Sequence, residues 1–94
     1  MITIKKDNNC ITIKGHANFS DSNDIVCASV SSIMYATINA ILNFDEEAIK
    51  VDDDNSKVTI EIIKNDDITT KLIDNMLLMY ESLVKQYPNN IEIK

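Results

Sequence analysis

Glycine, proline and histidine each occur once in these 94 residues, tryptophan does not occur, and there are only two cysteines. Each shortage excludes something. A single glycine leaves no glycine-rich loop of the usual phosphate-cradling form. One histidine and two distant cysteines make no zinc set. No tryptophan and few, scattered aromatics leave no stacking platform for bases. Basic residues number nine against fifteen acidic ones, for a net charge of −6. Phosphate contacts need clustered positive charge, so this balance argues against direct nucleic-acid binding and suits a basic protein or peptide better. The absence of a CxxC pair and of a signal-peptide pattern points to a reducing cytoplasm, where a Cys10–Cys27 disulfide is disfavoured. Asp52-Asp53-Asp54-Asn55 lacks the glycine of a calcium loop, and Ile63 or Lys64 would stand at the twelfth position, so it reads as a hairpin turn. No metal and no cofactor is expected.

What is present reads as one small domain over residues 1–94, for which oligomerisation would supplement a modest core. Ile2 and Ile4 alternate before the turn cluster Asp7-Asn8-Asn9, and Ile11 and Ile13 alternate after it, the pattern of a β-hairpin. Asn18 to Asn23 is polar and turn-prone. A helix is expected from Asp24, whose carboxylate suits the capping position. It is expected to place Val26, Val30, Ile33, Thr37, Ala40, Ile41 and Phe44 on one broad face. From Ile25 to Phe44 there is no charged residue. That length raises a membrane span, but Ser29, Ser31, Ser32, Thr37, Asn39 and Asn43 make one costly. A helix covered on more than one side, by the sheet and by a second helix or a partner subunit, is the reading adopted. Ile49 and Val51, then Val58, Ile60 and Ile62, give a second hairpin. A second helix starts near Asn65 to Asp67, carries Leu72, Met76, Tyr80, Leu83, Val84 and Tyr87, and stops at Pro88. Ile91 and Ile93 make a last short strand. The order ββαββαβ predicts an α+β fold, a mixed or antiparallel sheet with both helices packed on one face.

The scarce residues fall together. The lone glycine and lone histidine are neighbours in Gly15-His16-Ala17, and Asp24-Ile25-Val26-Cys27-Ala28 follows across the polar loop. A thiol in the first turn of a helix meets unpaired N–H groups and the positive end of the helix dipole, which favour a thiolate. The N–H groups of Cys27 and Ala28 can receive an oxyanion. His16 can take the thiol proton and return it to a leaving amine. Residues 17–23 span at most about 25 Å, so the imidazole and the thiol can meet. Bland readings stand beside these. Cysteine often packs as a small buried hydrophobe, and a histidine at a strand end can be satisfied by backbone groups. Asp24 serves as a cap or orients His16. Ser31, one turn after Cys27, bonds near the sulfur or back-bonds to its helix. Cys10 reads as packing.

The run Gly15-His16-Ala17, the loop, Asp24-Ile25-Val26-Cys27-Ala28, then Ser31 and Asn39-Ala40-Ile41 resembles the ribosomal-processing cysteine protease family. The resemblance implies a cytoplasmic cysteine endopeptidase acting through a Cys-His dyad. Its implied substrate is the precursor of large-subunit ribosomal protein number twenty-seven, from which it removes a short, basic N-terminal extension. It implies a homodimer, Cys27 as nucleophile, His16 as base, and Asp24 and Ser31 in support. The segment Ala17, Asn18, Phe19, Ser20, Asp21, Ser22, Asn23 would admit the peptide. Family members usually carry a glycine shortly before the second motif. Here Ser22-Asn23 stand instead, and the loop is about one residue shorter, which implies a stiffer loop that orders when peptide binds. Two rival readings remain: a non-catalytic peptide-binding or ribosome-assembly module on the same fold, and a structural dimer in which His16 and Cys27 never meet.

Overall fold

The computed structural model describes residues 1–15, 24–54 and 57–94. Five strands and two helices follow in the order β1 (Ile2–Asp7), β2 (Cys10–Lys14), α1 (Asp24–Phe44), β3 (Ile49–Asp53), β4 (Lys57–Ile62), α2 (Asp67–Gln86) and β5 (Ile91–Ile93). The sheet runs β3-β4-β2-β1-β5. Its pairs are antiparallel except β1 with β5, which is parallel, so the sheet is mixed. The parallel pair follows from the route of the chain. α2 carries it the length of the sheet, and β5 then joins beside β1 in the same direction.

Alternation decides which side of the sheet is dry. Ile4 stands opposite Ile13, Ile11 opposite Ile60, and Ile49 opposite Ile62, and all are buried. Thr12 opposite Thr59 and Lys14 opposite Lys57 lie on the other face, left to solvent. Both helices cover the isoleucine face. The first hairpin closes through Asn8 in the left-handed region, at φ 54°, a conformation asparagine tolerates better than most residues.

On α1 the buried residues are Val26, Cys27, Val30, Met34, Thr37, Ile38 and Ile41. The face is rotated from the one expected. Met34 and Ile38 are buried, whereas Ile33 is half-buried and Ala40 and Phe44 are exposed. Residues 33 and 34 are both apolar, so periodicity alone could not choose between adjacent ridges of the helix. The opposite side of α1 carries Ser32, Ala36 and Ala40, which with Leu72, Asn75 and Met79 of α2 line an apolar groove between the helices. α1 is long and apolar enough to cross a membrane by composition, yet 39% of that window is buried inside the fold.

α2 starts as expected. Asp66 is the cap and accepts from the Thr69 N–H at 2.8 Å, while the Thr69 hydroxyl donates to the other carboxylate oxygen at 3.1 Å. Thr69, Ile73, Met76 and Tyr80 form its buried stripe. The helix ends at Gln86, two residues before Pro88.

Candidate active site

Gly15 ends β2 at φ +90°, a conformation in which L side chains are strained. A Cβ there would also come within 2.7 Å of the Met1 carbonyl oxygen. Two independent constraints therefore put the lone glycine at the C-terminal end of the central strand, where the chain leaves the sheet. Nine residues later α1 begins at Asp24.

Cys27 is the fourth residue of α1 and thus in its first turn, near the positive end of the helix dipole. It is 5% exposed and belongs to the core cluster with Val26 and Val30. Neither cysteine is in a disulfide. Cys10 is half-buried at the start of β2, on the side of the sheet away from the helices, between Asp7 and Glu61 in the strand register. Ser31 is half-buried one turn after Cys27. Ser29 and Thr37 each donate to the carbonyl four residues back, at 2.8 Å, and Ser31 makes no such bond among the described residues. Asp24 is the first residue of α1. His16, the segment Ala17 to Asn23, and the side chain of Asp24 lie outside the described residues.

One contributor that sequence reading treated only as core is Tyr80. Its hydroxyl, buried between the helices, donates to the Val30 carbonyl at 2.9 Å. Burial pushes its phenol above the ordinary tyrosine range. The bond ties α2 to α1 one turn beyond Cys27, on the helix that carries the thiol. The available signal was a tyrosine at a core position of a helix, since a buried phenol needs a hydrogen-bond partner.

At the other end of α1, Asp45 accepts from Lys64 at 2.8 Å. That hydrogen bond, and a second from the Glu47 N–H, hold the Asp45 carboxyl below its usual range. Tyr35 donates to Asp53 at 2.9 Å, which raises its phenol, with desolvation and the Asp53 charge adding to the shift. Among the described residues no three histidine, cysteine or acidic side chains stand close enough to share a metal ion.

A thiol in the first turn of a long helix, in a chain whose central strand ends at a glycine in a conformation other residues rarely adopt, fits the class of thiol-dependent hydrolases. Comparison with known proteins makes the class specific. The sequence model of the family described as cysteine protease Prp matches residues 1–92. The ribosomal processing cysteine protease Prp of Staphylococcus aureus is 28% identical over 87 residues, covering 88% of this chain and 82% of that protein. A crystal structure of the S. aureus protease with a covalently linked product peptide superposes at a TM-score of 0.84. It is 26% identical and covers 100% of this chain and 98% of that one. The same fold recurs in a crystal structure of SMU.848 from Streptococcus mutans, at a TM-score of 0.79, 24% identity, and 99% and 90% coverage. The chain belongs to the cysteine protease Prp family. It is a cysteine protease of the ribosomal-processing kind, built as the expected α+β domain.

Proposed function

We propose that the protein is an endopeptidase that removes a short N-terminal extension from large-subunit ribosomal protein number twenty-seven, using Cys27 and His16 as a dyad. The observation that carries this reading is the placement of Cys27 in the first turn of α1, in a chain matched over residues 1–92 by a cysteine protease family. The Cys27 thiolate attacks the scissile carbonyl carbon, and the developing oxyanion is stabilised by the positive N-terminal end of the helix. As the C–N bond breaks, His16 gives the amine its proton and a thioester remains. Water, deprotonated by His16, then releases the acid and restores the thiol. Asp24 and Ser31 support the pair, and residues 17–23, which join the two motifs, contact the peptide. The net charge of −6 suits a basic precursor. Two cysteines outside any disulfide suit a cytoplasmic enzyme.

The test is cleavage of a peptide spanning the extension and the mature start of the organism's own ribosomal protein. Wild-type protein is expected to cut it once, with Cys27→Ala and His16→Ala both losing turnover. The burial of Cys27 favours the rival in which the thiol only packs. On that rival the peptide binds without being cut, and the alanine variants bind it as well as wild type does.

We further propose that the protein is a homodimer covered along α1. Charge is absent from Ile25 to Phe44, and the groove lined by Ser32, Ala36, Ala40, Leu72 and Met79 leaves an apolar strip for a second copy.

A further inference from the structure

One end of the sheet's solvent face carries a charge opposite to that of the chain, while Asp7, Asp52 and Glu61 lie towards its other end. Four of the nine basic residues, Lys5, Lys14, Lys57 and Lys94, line one shallow depression of about 360 Å³ together with the hydroxyl-bearing Thr3 and Thr12. Lys14 and Lys57 are direct register partners across β2 and β4. Like charges directly opposite each other destabilise a sheet. Neither has an ion-pair partner among the described residues. Two carboxylates flank it: Glu92 accepts from the Thr3 hydroxyl at 3.3 Å and stands 3.7 Å from the Lys94 ammonium, and Asp54 accepts from the Lys57 N–H at 3.0 Å. The lining offers ammonium and hydroxyl donors, no carboxylate and no aromatic ring.

We propose that this face docks the phosphate backbone of double-helical RNA. A net charge is a sum over the whole surface, and a negative total does not exclude nucleic acid from one depression whose charged lining is four lysines. Lysines at Lys94, Lys5, Lys14 and Lys57 form a band across β5, β1, β2 and β4, with Lys94 tied in by its N–H to the Ile4 carbonyl at 2.8 Å. Three inter-strand spacings make the band about 14 Å wide. With no aromatic to stack on bases and no cleft to admit their edges, the contact reads the backbone and not the sequence. The choice of RNA rests on the ribosomal-processing reading, in which the substrate protein belongs to an RNA-rich particle; the lysine face itself does not depend on that reading.

The test is fluorescence anisotropy of a labelled RNA duplex of about 16 base pairs, titrated with full-length protein between about 50 and 200 mM potassium chloride. With Lys94 partly neutralised by Glu92, log K is expected to fall against log salt with a slope of about −3. Lys5→Gln/Lys57→Gln is expected to flatten the slope by about two and weaken binding at least about tenfold at the lowest salt. Lys71→Gln/Lys85→Gln, on exposed positions of α2, is expected to bind as wild type does. Absence of binding at the lowest salt overturns the proposal, as does equal weakening in both double variants. Displacement of the duplex by equimolar tripolyphosphate or by a poly-glutamate peptide reassigns the face to a small polyphosphate or an acidic protein and overturns it too. Peptide cleavage is measured in parallel. It is expected to be unchanged in Lys5→Gln/Lys57→Gln, so a failure of cleavage reports on the peptidase reading and a failure of RNA binding on this one.

Discussion

Cys27 carries two opposed physical demands. A nucleophile must be reached, and this thiol is 5% exposed within the core cluster; Cys10 is the more open of the two. Accessibility alone therefore predicts that an alkylating reagent labels Cys10 first. Thiolate character predicts the reverse, because only the thiolate reacts and the first turn of a helix stabilises it. Iodoacetamide at mildly acidic pH, read by peptide mass spectrometry, is expected to modify Cys27 before Cys10. Faster labelling of Cys10 would leave packing as the better account of Cys27. Gly15 gives a sharper prediction about stability. Gly15→Ala forces an L side chain to φ +90° and brings its Cβ within 2.7 Å of backbone that cannot swing aside. A loss of about 1–3 kcal/mol is expected in urea unfolding, with cleavage reduced because the residue sets the direction in which the chain leaves β2. The pairing of scarce residues was legible from sequence because one glycine and one histidine side by side left little else to weigh. The side chain of Tyr80 was legible only as core. That its hydroxyl reaches Val30, 50 positions away in sequence, is tertiary information that no local pattern contains.

At the scale of elements, the strands and the start of α2 were readable because their signals are local. Alternating isoleucines set the dry face, and Asp66 caps α2 through the Thr69 N–H. The buried ridge of α1 was less readable. Adjacent apolar pairs at residues 33 and 34 fit two rotations of the same helix, and packing on the sheet selected the one with Met34 and Ile38 inward. Tyr80→Phe probes how that choice is held. It removes one buried hydrogen bond and keeps the ring, so a loss of about 1 kcal/mol is expected in urea. If the bond also sets the rotation of α1, kcat for peptide cleavage falls while KM changes little, and Tyr80→Leu, which removes the ring as well, loses more stability. The C-terminal end of α1 is tied differently. Lys64 holds Asp45 in its charged form, so the folded carboxyl titrates below its unfolded value. Its contribution is present above the unfolded pKa and is lost as pH falls through the folded one. The contribution is small, because the pair faces solvent. Wild type is expected to melt slightly above Asp45→Asn near neutrality, with the two melting temperatures converging in acid.

The two faces of the whole molecule divide its surface into unlike halves. The open sheet face is polar and charged, with lysines gathered at one end, and needs no cover. The helical face keeps an uncharged helix in which Ile25 and Phe44 are 64% and 53% exposed, and on α2 Leu78 is 61% exposed. Monomeric soluble proteins rarely leave apolar surface in such continuous strips, and a small domain gains from burying more of it. The small side chains of Ser32, Ala36 and Ala40 would let another helix approach closely. A dimer is therefore expected at micromolar concentration by light scattering. Ala36→Glu is expected to shift it towards monomer, because the substitution places a charge in the middle of the strip, where two copies would meet carboxylate to carboxylate around a two-fold axis. Ala36 is exposed in the single chain, so the variant monomer is expected to fold with unchanged far-ultraviolet circular dichroism. Lys50→Glu, on the opposite face, is the control and is expected to leave the dimer intact. A wild-type monomer at that concentration, or a dimer indifferent to Ala36→Glu, would show that α1 is not the surface through which copies of this chain meet.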